Sequence, residues 1–470
     1  MQPNILFCMA DDWGWPHAGI YGDEVVKTPV FDWIAQSGVL FENAYISSPS
    51  CTPSRNSVLT GQQFYRLGEG ANLHSTLDTK YANFMHILQT HGYQIAHFDK
   101  AWGPGSYKAG GYTEHPCGPQ SELSEFIKRK NKNQPFCFWL GTTDPHRPYP
   151  NGHGDVPYEK IVVPEFLPDN DSVRKDIAAY YWEIERWDKR VGDAIDILER
   201  NGELDNTIII MTGDHGWPFP RGKGNLYDYG TRVPLAILWK KQFPGGRQVD
   251  DFVSLTDLAP TFLEAAGIPA PVQMTGNSLI PILMSNNSGT IESNRNFIVT
   301  GRERHNVPQE FPALVGYPSR AIRTDKWLYI MNLRHQRWPA GVPDNATHPN
   351  KKFTDCDNGP AKFNIMNNRN KKGMEQYYNW SFAKRPAHEL YYLKNDPNQL
   401  NNLAEDNNYH EVLTSLRNKL INYLLKTEDP RFTEKYPAFD EYPYRADYLD
   451  MDEIEKAKKE HLNKRILIPF

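Results

Sequence analysis

The run Ser50-Cys51-Thr52-Pro53-Ser54-Arg55-Asn56-Ser57-Val58-Leu59-Thr60-Gly61 decides how the rest of the chain is read. A hydroxyl residue followed by proline is a helix-start signal, so Thr52 is predicted to cap a helix that opens at Pro53. Cys51 then sits at the amide-donating end of that helix, where anions are favoured. Arg55 follows four positions later, about one helical turn, which returns its guanidinium to the side of the sulfur. A lone free cysteine is most often a small buried apolar residue. This one has a cation and a helix dipole converging on it.

Working outward, several short apolar runs end in polar residues. Asn4 to Ala10 leads to Asp11-Asp12, and Thr207 to Met211 leads to Gly213-Asp214-His215-Gly216. Pro135 to Leu140 leads to Asp144-Pro145-His146-Arg147, and Tyr93 to Phe98 leads to Asp99-Lys100. Continuous apolar runs of this length suit strands buried on both faces of a parallel sheet. Open α/β sheets bind ligands at the carboxyl ends of their strands, which is where these polar residues fall. One Asp after a strand is usually a turn or a cap; several such ends point to a shared site. Asp11, Asp12 and Asp214 offer oxygens for Ca²⁺ or a related hard cation, and His215 adds a nitrogen.

The pattern Cys-x-Pro-Ser-Arg followed by Leu-Thr-Gly resembles the signature of the type I, formylglycine-dependent sulfatases. Trp217-Pro218-Phe219-Pro220, Asn225-Leu226-Tyr227 and Asp144-Pro145-His146-Arg147 look most like the sulfamidase branch, which includes bacterial polysaccharide sulfatases. The resemblance implies that Cys51 is oxidised to Cα-formylglycine by a formylglycine-generating or anaerobic sulfatase-maturating enzyme. It implies a metal held by Asp11, Asp12, Asp214, His215 and the modified Cys51, with Ca²⁺ expected first and Mn²⁺ or Mg²⁺ as alternatives. His215 stands where Asn is common, which moves the expectation toward a transition metal. Arg55 would hold the nucleophile, Lys100 and Lys223 would contact sulfate oxygens, and His146 would protonate the leaving oxygen.

One stretch departs from the family pattern. Gly-Lys-x-His is usual where this chain has Asp99-Lys100-Ala101-Trp102. The indole nitrogen is a donor only, so Trp102 cannot replace a histidine base. His17, His74, His146 or a metal-polarised water are the expected substitutes. Trp13, Trp15, Trp102 and Trp217 follow strand ends and are candidates for stacking on a sugar. His17, His74, Arg147 and Arg302 are candidates for polar contacts to it.

The implied fold is alkaline-phosphatase-like: a large mixed, mostly parallel sheet flanked by helices, with a smaller C-terminal antiparallel-sheet-plus-helix subdomain. The chain has 470 residues and permits two domains. The boundary is expected at the change of character near residue 318, giving a catalytic domain over residues 1–318 and a smaller subdomain over residues 319–470. Ile177, Tyr180, Tyr181, Ile184, Trp187, Val191, Ile195 and Leu198 recur at helical spacing, so Val173 to Arg200 reads as one long amphipathic helix stopped by Asn201-Gly202. Arg320 to Met331 reads as a hairpin, Glu389 to Leu393 as a strand, and His410 to Thr427 as a helix. Arg445 to Phe470 reads as a charged surface stretch.

The net charge of −5 gives no basic stripe for nucleic acid, and no apolar run is long enough to span a membrane. The five cysteines are dispersed and form no disulfide framework. No export signal precedes the first strand, and the expectation is a periplasmic or secreted protein with its signal removed, a cytoplasmic enzyme being the alternative. The expected activity is metal-dependent hydrolysis of sulfate esters on a polysaccharide or its oligosaccharides. The alternatives are an N-sulfoglucosamine sulfohydrolase, a phosphodiester or phosphonate hydrolase of the same fold, and a glycan-binding protein without turnover.

Overall fold

A computed structural model describes residues 2–309, 315–344 and 352–446. Seven strands form the large sheet: β1 (Asn4–Ala10), β2 (Val39–Tyr45), β3 (Gln94–Phe98), β4 (Phe136–Gly141), β5 (Thr207–Gly213), β6 (Leu235–Leu238) and β7 (Arg247–Ser254), in the order β3-β4-β1-β5-β6-β2-β7. β3, β4, β1 and β5 are mutually parallel. β6 runs against both β5 and β2, so two reversals return β2 to the common direction. The polar residues that follow β1, β3, β4 and β5 therefore arrive at one edge, and the helix Cys51–Thr60 that follows β2 arrives there too.

Burial on both faces explains the unbroken apolar runs. Leu6, Cys8 and Ala10 of β1 enter one core, whereas Ile5, Phe7 and Met9 enter the other. Phe136, Phe138 and Leu140 of β4 divide from Cys137 and Trp139 in the same way. This is the two-residue period of a pleated strand with a packed layer above and below. The first core is covered by the helix Asp171–Arg200, capped by the Asn170 side chain accepting from the Val173 N–H at 3.2 Å. The second is covered by the helix Leu258–Ala265 through Leu258, Ala259, Phe262 and Leu263.

The smaller sheet is antiparallel and contains β8 (Phe297–Arg302), β9 (Ser319–Thr324), β10 (Trp327–Asn332) and β11 (His388–Tyr392), in the order β11-β10-β9-β8. The helix His410–Lys426 lays Leu413, Leu416, Leu420 and Leu424 on Val299, Ile322, Tyr329 and Leu390. The hairpin, the later strand and both long helices are thus where the sequence periodicity puts them. The domain boundary near 318 falls inside this sheet, between β8 and β9, because β8 pairs with β9 from Phe297 to Arg302. Much of the charged stretch ending at Phe470 lies outside the described residues.

The chain after the last long helix is fastened to the small sheet by a buried ion network. Arg320 of β9 donates to Asp429 from Nε at 2.5 Å and to Glu303 from Nη2 at 2.8 Å, and all three side chains are excluded from water. Arg431 donates to the other Glu303 oxygen at 2.6 Å. Removing one member strands a buried charge. Asp429→Ala is therefore expected to cost about 3–5 kcal/mol, read as a lower denaturation midpoint at unchanged slope. A loss below about 1 kcal/mol would show that Arg320 finds solvent once unpaired.

Candidate active site

Cys51 is the first residue of its helix, and Ser50, not Thr52, is the flanking cap residue. Thr52 lies inside the helix and donates from Oγ1 to the Pro104 carbonyl. The difference arises because the first turn leaves its N–H groups unpaired, so proline is tolerated at its third position as well as its first. All ten residues from Cys51 to Thr60 are buried. Their polar side chains find partners: Ser54 Oγ donates to the Asp214 carbonyl, and Asn56 Nδ2 donates to the Gly70 carbonyl at 3.0 Å.

Arg55 is fully buried and gathers the strand ends. Its Nε donates to Asp214 Oδ2 at 2.9 Å, its Nη2 to Asp11 Oδ1 at 3.4 Å, and its Nη1 to the Lys100 carbonyl at 2.6 Å. Lys100 Nζ is bonded to Asp11, and Lys223 Nζ donates to Asp12 Oδ2 at 3.0 Å and to Asp357 Oδ2 at 3.2 Å. Asp11, Asp12, Asp214 and Asp357 are thus met by Arg55, Lys100 and Lys223, four carboxylates against three cations. His146 completes the rim, with Nε2 4.0 Å from Asp12 Oδ2. Its Nδ1 lies against the Arg147 carbonyl, which only accepts, so Nδ1 carries a proton and Nε2 faces the site.

The Asp11-Asp12 turn is shaped for its position. Asp12 has a φ of 71°, a left-handed conformation that Asp tolerates better than most residues. Tyr180 holds it by donating from its hydroxyl to the Asp12 carbonyl at 3.1 Å, and the Asp12 N–H donates to Asp214 Oδ1 at 2.9 Å. Gly216 passes close behind, where a Cβ would lie 1.9 Å from the Tyr229 carbonyl oxygen.

The donor set fits a cation. Asp11, Cys51, Asp214 and His215 bring ligating atoms within 4.8 Å of one another, and so do Asp11, Asp12 and His146. His215 Nδ1 pairs with the Gly216 carbonyl at 3.0 Å, which turns Nε2 toward Asp12 Oδ1 at 3.1 Å, Cys51 Sγ at 3.2 Å and Asp214 Oδ1 at 3.7 Å. Asp12 Oδ1 is buried without a hydrogen-bond partner among the described residues. In the neutral tautomer with the proton on Nδ1, the Nε2 lone pair would face carboxylate oxygens, a contact that a cation lying between them makes favourable.

Electrostatics separates the two aspartates. Burial acts to raise Asp11, but Lys100, His146, Arg55 and Lys223 outweigh it and hold the carboxyl well below its ordinary range. Burial wins at Asp12, whose carboxyl is raised despite Lys223, His146 and His215. Burial, with Asp11 and Asp214 nearby, pushes the Cys51 thiol well above its usual value. As an unmodified thiol, Cys51 is not an activated nucleophile.

The expected sugar contacts divide differently. Trp217 is fully buried, with its ring 4.9 Å from His17 and 4.4 Å from Phe219, so it is core and not a platform. Trp13 is buried and donates to the His17 carbonyl at 2.8 Å, and His17 is itself buried against Tyr181. Trp15 lies half-buried under the Arg232 guanidinium, 3.6 Å from its ring centroid. Trp102 belongs to the second core and donates from Nε1 to Asn56 Oδ1 at 2.7 Å. Arg147 is held by Asp176 through two bonds of 2.7 and 2.8 Å, and Arg302 is buried on Asp355. Enclosure takes Trp217 out of the stacking role its place in the sequence suggested, and Arg147 and Arg302 are each paired with a carboxylate within the protein. His74 lies 4.9 Å from the ring of Tyr444.

Two residues reach the site without any motif to announce them. Asp357 bonds Lys223, and His305 is buried with Nδ1 2.7 Å from Ser50 Oγ, next to the cysteine. Both come from the chain after β8, and a turn-like Asp355-Cys356-Asp357-Asn358-Gly359 gives no sequence signal of its own.

A sequence model of the family described as Sulfatase matches residues 3–268, and one described as N-sulphoglucosamine sulphohydrolase, C-terminal, matches residues 213–333. An ulvan-active sulfatase of Formosa agariphila is 28% identical over 489 aligned residues, covering 98% of this chain and 89% of that protein. Human N-sulphoglucosamine sulphohydrolase is 28% identical, with 91% of each chain covered. A structure solved in complex with its substrate D-glucosamine-2-N,6-O-disulfate superposes with a TM-score of 0.65 at 20% identity, over 93% of this chain and 100% of that one.

The donor set makes a metal-binding prediction. Ca²⁺ added to chelator-treated protein should raise the thermal midpoint, by about 2.7 kcal/mol of linked stability at a hundredfold excess over the dissociation constant. Asp214→Ala should abolish that rise. An equal shift in the variant would place the ion elsewhere.

Proposed function

This chain belongs to the sulfatase family, and from that premise we propose that it is a metal-dependent hydrolase of sulfate esters on a sulfated polysaccharide or its oligosaccharides. The observation that carries the reading is the meeting of Cys51 with His215 and the strand-end carboxylates at one sheet edge, with Lys100 and Lys223 flanking them. Cys51 oxidised to formylglycine, with a divalent cation on Asp11, Asp12, Asp214 and His215, would supply the nucleophilic oxygen. Oxygen-rich donors favour Ca²⁺, and the His215 nitrogen leaves Mn²⁺ or Mg²⁺ as alternatives.

The chain's own side chains divide the remaining work. Lys100 and Lys223 neutralise the sulfate oxygens as charge shifts onto the leaving group. Arg55 fixes the nucleophile's helix against Asp11 and Asp214. His146 presents Nε2 to the open side and, in its doubly protonated form, gives the Nε2 proton to the leaving sugar oxygen while Nδ1 keeps its bond to the Arg147 carbonyl. The names of the relatives support a glycan substrate: ulvan for one and N-sulfoglucosamine for the other. O-sulfate is the first choice and N-sulfate the second. A phosphodiester or phosphonate hydrolase is the competing reading, favoured by His215 at the metal.

Specificity constants decide between them. Contacts to sugar away from the reacting sulfate orient it, so kcat/KM on the best sulfated oligosaccharide should exceed that on an aryl sulfate by about 100-fold. The aryl sulfate should in turn exceed an aryl phosphodiester and an aryl phosphonate. Faster turnover of either phosphorus ester would overturn the proposal.

A further inference from the structure

A site that binds an anion also presents an anion at its rim. Asp357 lies 3.2 Å from Lys223 Nζ, and its side chain keeps 15% of its surface open. Burial acts to raise its carboxyl, but Lys223, His146, His305 and Arg147 outweigh it and keep the group ionised. A carboxylate is an acceptor only, so it adds nothing to the binding of sulfate. It needs a donor, and it repels another anion.

The segment that carries Asp357 is braced to hold it still. Asp355 accepts from Arg302 Nη2 and from the Asn306 N–H, both at 2.8 Å. Lys362 Nζ donates to the Phe353 carbonyl at 3.1 Å, to the Cys356 carbonyl at 2.6 Å and to Asn358 Oδ1 at 3.0 Å. Thr354 Oγ1 donates to the Val307 carbonyl at 2.9 Å. Gly359 passes so close to Arg147 that a Cβ would lie 2.5 Å from the guanidinium carbon. A loop fixed at this many points presents its carboxylate in one place, which is what discrimination between neighbouring sugar substituents requires.

We propose that Asp357 is a specificity-determining residue: it accepts a hydrogen bond from a donor on the sugar carbon beside the scissile sulfate, and it disfavours sugars that carry a second sulfate there. This rests on the sulfatase reading of the same site. Lys223 links the two functions, since one ammonium bridges Asp12, a member of the metal-donor set, and Asp357. A site that leaves an unbonded carboxylate facing a methylated or sulfated neighbour loses more than one that merely lacks a contact.

The test uses three sugars alike except at the carbon next to the scissile sulfate: a free hydroxyl, an O-methyl group or a second sulfate. Wild-type kcat/KM should fall in that order, with the hydroxyl preferred over sulfate by about 100-fold. Asp357→Asn removes the charge but keeps an acceptor. It should cut the discrimination against sulfate at least tenfold and keep some of the discrimination against methyl. Asp357→Ala should lose both. If either variant lowers kcat/KM equally on all three sugars, Asp357 only positions Lys223 and the proposal fails. Dissociation constants of the same sugars on Cys51→Ala protein supply a reading independent of turnover. Discrimination in binding without sulfate release by the wild type would overturn the proposed reaction and leave the role of Asp357 standing.

Discussion

Everything at the carboxyl edge of the large sheet is arranged around one buried guanidinium. Arg55 has no access to water, so each of its donors must be met by protein. It is met by Asp214 after β5, by Asp11 after β1, and by the Lys100 carbonyl after β3. A bare buried charge is costly enough that none of these ends can drift without destabilising the others. The parallel sheet brings the strand ends to one edge. Arg55 fixes their mutual distances, and Cys51 is fixed with them one helical turn away on the same helix.

Charge balance follows from that arrangement. Three carboxylates clustered alone would repel one another, but Arg55, Lys100 and Lys223 neutralise them in place. What the buried donors lack is a partner for Asp12 Oδ1, beside which His215 Nε2 lies at 3.1 Å, a place for a coordinated cation. With Asp357 counted, four carboxylates face three cations, so a divalent ion there would turn the site net positive, which suits an anionic sulfate.

The fold was legible in the sequence wherever burial was complete. Strands packed on both faces must be apolar throughout, and Asn4 to Ala10 or Thr207 to Met211 have no other use for such a run. Of the residues brought together, Asp11, Asp12, Lys100, His146, Asp214 and His215 come within a few residues of those strand ends, Cys51 and Arg55 lie in the helix signature, and Lys223 was placed by the family resemblance. What escaped depends on pairing across distance. Nothing local to Arg147 tells that Asp176, on a helix that begins well downstream, claims both its nitrogens. Trp217 follows a strand end as a platform would, yet it is enclosed by His17, Tyr180, Phe219 and Tyr229. Asp357 and His305 come from beyond β8, in loops whose composition says only turn. The helix start was misplaced by two residues because proline is acceptable throughout a first turn, so its position marks the turn and not the first residue.

The proposed chemistry requires Cys51 to be the precursor of the nucleophile. Its thiol is buried beside Asp11 and Asp214 and is held protonated, so it does not act as a thiolate. Peptide mass spectrometry of the segment containing Cys51, on protein made with and without a formylglycine-generating enzyme, read beside sulfate release from the same preparations, tests this directly. The prediction is that turnover rises in proportion to the fraction of formylglycine at position 51 and vanishes where only cysteine is present. Full turnover from protein whose Cys51 is wholly unmodified would contradict it.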